Sequence, residues 1–83
     1  MWYNEKSVAL VKNLRDQIDV RGLRHVQMIM GSCRTEDGIR HLCVKFLYLD
    51  NDNYKEKVKA ITNRYCESLT LRKETKTTIT YML

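Results

Sequence analysis

The sequence has no proline, only three glycines and no long apolar run. Because a helix needs about 20 mostly apolar residues to span a bilayer, the chain is not expected to cross a membrane. Residues 1–6 lead directly into an amphipathic pattern, which predicts that no secretory signal is present. With proline absent, Gly22, Gly31 and Gly38 are the main breaks between predicted elements.

Cysteine is also scarce. The three cysteines, Cys33, Cys43 and Cys66, leave one thiol unpaired in any disulfide scheme. Free thiols are typical of proteins in reducing compartments. The sequence therefore predicts unpaired cysteines and a cytoplasmic, intracellular location.

Length and charge limit the possible partners. A chain of 83 residues is expected to form a single domain over residues 1–83. Its net charge of +5 favours contact with phosphate groups or with an acidic protein surface, but it requires neither.

The first predicted helix covers Asn4 to about Val20. Its apolar residues recur at steps of three and four, which places them on one face of the helix. Asn4 is a suitable N-cap, and Gly22 stands where a left-handed C-terminal residue is favoured.

Two apolar segments before and after the loop 36–38 predict a β-hairpin. A type I turn with Gly38 at the positive-φ position would place Met30 opposite Val44. A two-residue turn would instead place Met30 opposite Lys45. The first register gathers the apolar side chains on one face, so we expect that one.

A second helix is predicted from Asn53, which forms a possible capping box with Glu56, to near Glu67. Its apolar stripe comprises Tyr54, Val58, Ile61, Tyr65 and Leu69. Residues 69–83 contain many threonines, and large apolar side chains occupy every second position near their end. Both features favour extended structure. Since no Gly, Asn or Asp marks a turn there, we expect a single strand with an irregular middle.

The predicted fold class is therefore α+β, in the order α-β-β-α-β, with both helices on one face of a small antiparallel or mixed sheet. This order resembles the ferredoxin-like fold without its first strand. In that fold the missing strand lies in the middle of the sheet. The resemblance therefore implies exposed strand edges, and with them a homodimer or a protein partner.

Cys33, His41 and Cys43 are expected to lie near one another on the sheet face away from the helices. A structural zinc site needs four ligands, and no fourth is evident, so we expect ordinary thiols and no metal. Catalysis by Cys33 or Cys43 with His41 lacks an oxyanion hole and a residue that orients the base. A metal-free ribonuclease using His25, His41 and Lys45 is conceivable on acid–base grounds, but two histidines in a chain of this length occur by chance. No catalytic residue or cofactor is predicted, and the chain is not expected to be an enzyme.

The outward sheet face is expected to be too apolar for full solvation, which indicates a protein interface. Its predicted interface residues are Gln27, Ile29, Lys45, Leu47 and Leu49. The predicted function is that of a small basic non-enzymatic adaptor or inhibitor that docks on another protein through its sheet face or edge. A nucleic-acid-processing complex is one candidate target. Stacking of RNA bases is disfavoured, because the face carries no aromatic residue.

The alternative is a nucleic-acid-binding regulator that contacts backbone phosphates. Its basic residues would be Arg15, Arg21 and Arg24 near the end of the first helix, and Arg72, Lys73 and Lys76 in the tail. Trp2 is expected to pack in the core beside the first helix.

Overall fold

The structure, a computed structural model, describes residues 4–23, 25–48 and 52–83, with only the backbone of Asp52. Within these residues the helices are α1 (Glu5–Val20) and α2 (Asp52–Tyr65). The strands are β1 (Gln27–Arg34), β2 (Arg40–Leu47), β3 (Thr70–Glu74) and β4 (Thr78–Met82). They form one antiparallel sheet in the order β1-β2-β4-β3.

Both predicted ends of α1 are confirmed. The side chain of Asn4 accepts a hydrogen bond from the Ser7 N–H at 2.8 Å, and the Ser7 hydroxyl accepts one from the Asn4 N–H at 3.0 Å. These reciprocal bonds satisfy donors that the first turn of a helix leaves unpaired. After the helix, Gly22 takes φ +79°, a conformation that side chains with a Cβ disfavour.

The predicted register of the first hairpin is also confirmed. Met30 lies opposite Val44, and Gly38 takes φ +80° in the connecting turn. The Gly38 N–H donates to the Thr35 carbonyl at 2.9 Å, and the Thr35 N–H donates to the Ile39 carbonyl at 3.1 Å. The bulged turn therefore sets which β1 and β2 side chains face the helices.

The predicted cap of α2 is wrong, because the helix already begins at Asp52 and Asn53 lies within its first turn. The helix ends at Tyr65, slightly before the predicted end near Glu67. Its apolar stripe is confirmed for four residues: Val58 and Ile61 are buried, and Tyr54 and Tyr65 pack against the core. Leu69 is buried as well, but it lies after the end of the helix, so its assignment to the stripe is wrong.

The tail forms a hairpin of two strands, so the prediction of a single strand is wrong. The turn is made by threonines: the Thr75 N–H donates to the Thr78 carbonyl at 2.8 Å, and the Thr78 N–H donates to the Thr75 hydroxyl at 3.1 Å. A threonine hydroxyl can hold a turn in the way that Asn or Asp more commonly does.

The α+β class is confirmed, with the order α-β-β-α-β-β and one strand more than predicted. That strand, β4, lies between β2 and β3 in the middle of the sheet. The arrangement is thus similar to a circular permutation of the ferredoxin-like order, in which the end of the chain supplies the central strand. The argument that a missing central strand requires a dimer or partner therefore no longer applies.

Both helices pack on one face of the sheet around a single core. Phe46 and Ile79 from the central strands are fully buried with Leu14 of α1 and Val58 of α2. Met30, which the pattern places with this core, is 44% exposed. Its strand is at the sheet edge, where the helices no longer cover the side chain. Trp2 lies outside the described residues.

Candidate interaction surface

The outer face is defined here as the strand side chains that point away from the helices. One row across the sheet consists of Ile29, Lys45, Thr80 and Lys73, each opposite the next. A neighbouring row consists of Gln27, Leu47 and Thr78. The structure therefore brings together four of the five predicted interface residues, and Leu49 lies outside the described residues. Their role in binding stays a prediction.

Three residues of this face come from β4: Thr78, Thr80 and Met82. Sequence reasoning did not include them in the interface, although the alternation in residues 78–83 had indicated which side chains point together. Alternation shows which residues share a face but not which strand lies next to them. The position of β4 beside β2 supplies that second piece of information.

The outer face combines apolar and basic side chains. Ile29 is 53% exposed, and Leu47 is half-buried beside Gln27. Lys45 and Lys73 are exposed and are both opposite Thr80. Ile29 and Leu47 therefore lie beside the positive charge of Lys45 on this face.

The described strands contain a single carboxylate, Glu74, and it points to the helix layer. Its Oε1 lies 2.8 Å from Lys59 Nζ and 3.3 Å from Lys55 Nζ, both in α2. The hydrogen bond from Lys59 lowers the pKa of Glu74, and the same bond raises the pKa of Lys59. The outer face therefore carries no carboxylate from the described strands, which leaves its lysines unneutralised within the sheet.

Acidic residues approach this face at the turn between β1 and β2. Glu36 and Asp37 line a shallow depression together with Thr35 and Arg72. The Thr35 hydroxyl and the Ile39 N–H donate to the Asp37 carboxylate and lower its pKa. This corner of the outer face is thus of mixed charge, whereas the row of Lys45 and Lys73 is positive.

The prediction of free thiols at Cys33 and Cys43 is wrong, because the two residues form a disulfide. Cys33 lies opposite His41, and Cys43 lies opposite Gly31, so the bond joins diagonal neighbours with Cα atoms 6.0 Å apart. The proximity had been predicted from the register, but the bond had not. The paired sulfurs are not available as thiolate nucleophiles or zinc ligands.

Cys66 is the free cysteine, and it is buried. Among the described residues, no group of His, Cys, Asp and Glu side chains is arranged to hold a metal ion. The His25 ring packs against Tyr54 with centroids 4.3 Å apart and the ring planes tilted by 58°, beside the start of β1. His41 lies near the other end of the hairpin. The structure does not bring the two histidines together for acid–base work.

Arg15 and Arg21, from the first predicted basic group, have contacts within the protein. Arg15 donates to the Val26 carbonyl at 2.6 Å and to the Asp19 carboxylate at 2.7 Å. Arg21 lies over the Tyr65 ring at 4.9 Å and donates to its hydroxyl at 2.6 Å. These contacts join α1 to the start of β1 and to α2.

The second basic group lies on the tail hairpin. Arg72 approaches the Met82 sulfur at 3.7 Å, Lys73 is on the outer face, and Lys76 is exposed in the turn. Since α1 packs on the other face of the sheet, the two basic groups do not form one surface. Arg24 of the first group lies outside the described residues.

Neither described helix is long and apolar enough to cross a membrane. Comparisons of the chain with protein-family models, with curated proteins and with solved structures find no match.

Proposed function

We propose that this chain is a non-enzymatic interaction protein, an adaptor or inhibitor, whose outer face docks on an acidic surface of another protein. The observation that carries the proposal is the charge arrangement. Lys45 and Lys73 are exposed in one row across the sheet, while Glu74, the one carboxylate of the described strands, is bound by lysines on the helix side.

The two parts of the surface have different roles. The lysines attract an acidic partner over distance and select against basic ones, an effect that governs specificity and association rate more than affinity. Ile29 and the half-buried Leu47 supply apolar area that loses water on contact. The strands hold these side chains in place before binding, which lowers the entropy cost of association.

The test is capture of partners from the native host by three forms of the chain. The face variant is Lys45→Glu with Lys73→Glu, and the matched control is Lys12→Glu with Lys57→Glu on exposed positions of the helices. Each substitution removes one positive charge and adds one negative charge, so both variants change the net charge from +5 to +1. We expect the face variant to lose the partner by at least about tenfold and the control to retain it. Equal capture by both variants would contradict the proposal.

A second candidate function is binding to nucleic-acid phosphates through Lys45, Arg72, Lys73 and Lys76. The same observation favours it, since the positive charge of Lys45 and Lys73 attracts phosphate as well as acidic protein, whereas Arg72 lies beside Glu36 and Asp37. Three or four phosphate contacts would give a slope of about −3 in log affinity against log salt for duplex DNA. Absence of binding to duplex and single strands at low salt would eliminate this candidate.

A cytoplasmic location remains a prediction from the sequence. Its thiol argument is weakened, because stable disulfides are typical of oxidising compartments and Cys33 and Cys43 are paired. The number of titratable thiols in denatured, unreduced protein from the native host decides this: three thiols would support a reducing location, and one would oppose it.

A further inference from the structure

The two edges of the sheet differ in how they are protected. The edge strand β3 is five residues long, has an irregularity between Leu71 and Lys73, and exposes charged side chains. Such features normally prevent the pairing of edges. The other edge strand, β1, is eight residues long and regularly paired with β2, and its residues 27–33 carry no charge. It also exposes two apolar side chains, Ile29 at 53% and Met30 at 44%.

The open side of β1 offers backbone groups that no described strand pairs with. The Thr35 N–H donates to the Ile39 carbonyl, so Thr35 points its backbone groups toward β2. In an antiparallel pair these directions alternate along the strand. The backbone N–H and C=O groups of Met28, Met30 and Ser32 therefore point away from β2, and no described strand lies on that side.

We propose that β1 pairs with β1 of a second copy of this chain, antiparallel and with Met30 opposite Met30. A two-fold axis perpendicular to the sheet relates such copies and keeps the helices of both on the same side. Met28 of one copy then lies opposite Ser32 of the other. The three outward-pointing residues make about six backbone hydrogen bonds between the copies.

Side-chain shape fits this register on the outer face. Ile29 of one copy lies opposite Gly31 of the other. A Cβ atom built on Gly31 would meet nothing within 4 Å, so the space beside this glycine is open. Ile29 of the second copy fills that space and loses its exposure to water. This burial of apolar area stabilises the pair and occurs twice, once for the Ile29 of each copy.

Charge explains why a second copy is a suitable occupant. Two chains of net charge +5 repel each other over most of their surfaces. Along residues 27–33 they meet without any charged side chain, and Arg34 then lies opposite Val26, beyond the paired segment. The pairing covers Ile29 but leaves Lys45, Leu47 and Lys73 of both copies exposed on the outer face, so it does not depend on the proposed docking function.

The first test is sedimentation velocity from about 10 μM to about 1 mM, a range suited to a small interface. In Met30→Lys two lysines lie opposite each other, which disfavours pairing. Gly31→Val fills the open space without adding charge. The matched control is Leu71→Lys, since Leu71 is 43% exposed on the opposite edge strand.

We expect the wild type and Leu71→Lys to form dimers equally, and Met30→Lys and Gly31→Val to weaken the dimer by at least about tenfold. A wild type that stays monomeric over the whole range would overturn the proposal. Equal weakening by Met30→Lys and Leu71→Lys would also overturn it, because the effect would then come from added charge alone.

Amide hydrogen exchange gives a second, residue-specific test. The amides of Met28, Met30 and Ser32 should become protected as the concentration rises, since they bond only to the second copy. The amides of Ile29 and Gly31 should be protected at every concentration, because they point to β2. If the chain associates while exchange at Met28, Met30 and Ser32 stays constant, the copies meet elsewhere and the proposal is wrong.

Discussion

The two hairpins of this sheet are closed by different means. In the β1–β2 hairpin, Gly38 turns the chain with φ +80° and a disulfide joins Cys33 to Cys43. In the β3–β4 hairpin, Thr75 and Thr78 make the turn through their hydroxyls, and Glu74 binds lysines of α2. The first hairpin is stabilised within itself, whereas the second depends in part on the helix that packs beside it.

The two turns differ in how easily they can be recognised from the sequence. A glycine at positive φ is required by the backbone and can be recognised locally. A threonine turn uses side chains that are equally common in strands, so it leaves no distinct mark. The first hairpin should therefore be more sensitive to local changes, and the second to changes in its tertiary contacts.

The largest expected effect is loss of the disulfide. The bond joins residues 10 positions apart, and the chain-entropy relation for a loop of this size gives about 3 kcal/mol. The free energy of unfolding of the double variant Cys33→Ala with Cys43→Ala, measured by urea unfolding, should be lower by that amount. The wild type under reducing conditions should match it. If reduction leaves the wild-type midpoint unchanged, the bond does not stabilise the hairpin.

A smaller effect is expected from Gly38→Ala. A Cβ atom at φ +80° should lower the free energy of unfolding by about 1–2 kcal/mol. Urea unfolding at low protein concentration measures this loss. Gly31→Ala is the matched control, because Gly31 has a negative φ and open space around the added Cβ. The control should be neutral or slightly stabilising. Equal losses in both variants would show that the turn conformation is not the cause.

In the second hairpin, Thr75→Val removes the hydroxyl that accepts the Thr78 N–H and that also bonds to the Thr78 hydroxyl. The bond from the N–H contributes about 1 kcal/mol, and the bond between the exposed hydroxyls adds less because water can replace it. Thr77→Val in the same turn is the control, since the described residues make no hydrogen bond to the Thr77 side chain. A Thr75→Val variant as stable as the control would mean that the backbone alone holds this turn.

The smallest effect concerns pH. Lys59 lowers the pKa of Glu74 below its usual 4.5 in the folded chain. The contribution of this carboxylate to stability is therefore fully present above 4.5 and is lost as the pH falls through the lowered folded value. Asp37 in the first hairpin behaves in the same way below its usual 3.8.

Glu74→Gln and Asp37→Asn should each reduce the loss of stability between neutral and acidic pH, measured as urea midpoints across a pH series. Asp37→Asn should retain the pH-dependent stability that comes from the ion pairs of Glu74 with the lysines of α2, and Glu74→Gln should remove it. If neither variant changes the slope below about pH 5, other carboxylates account for the acid sensitivity.

Several parts of the fold could be read from neighbouring residues. The caps of α1 and the turn at Gly38 are short-range features, and each was found where a side chain or a positive φ is needed. The pairing of Met30 with Val44 followed from that turn, because a hairpin turn sets the register of its strands. The side-by-side arrangement of Gln27, Ile29, Lys45 and Leu47 then followed from the register.

Other parts depend on residues far apart in the chain. The place of β4 between β2 and β3 is decided by how Ile79 and Tyr81 pack against Phe46 and the helices. No pattern within residues 69–83 specifies a neighbour. The α2 cap was missed for a different reason, since several consecutive residues, 50–53, are all suitable caps and only the packed helix selects its first turn.

The amino-acid sequence alone specified the two helices, the first hairpin and the sides of β1, β2 and β4 that face the core. These features arise from periodicity and turn chemistry within short segments. The tertiary structure alone decided that the chain fills its own central strand position, that Cys33 and Cys43 are joined, and that Glu74 faces α2 and leaves the outer face positive. Each of these results depends on which distant segments become neighbours, and the packing of the whole core sets that choice.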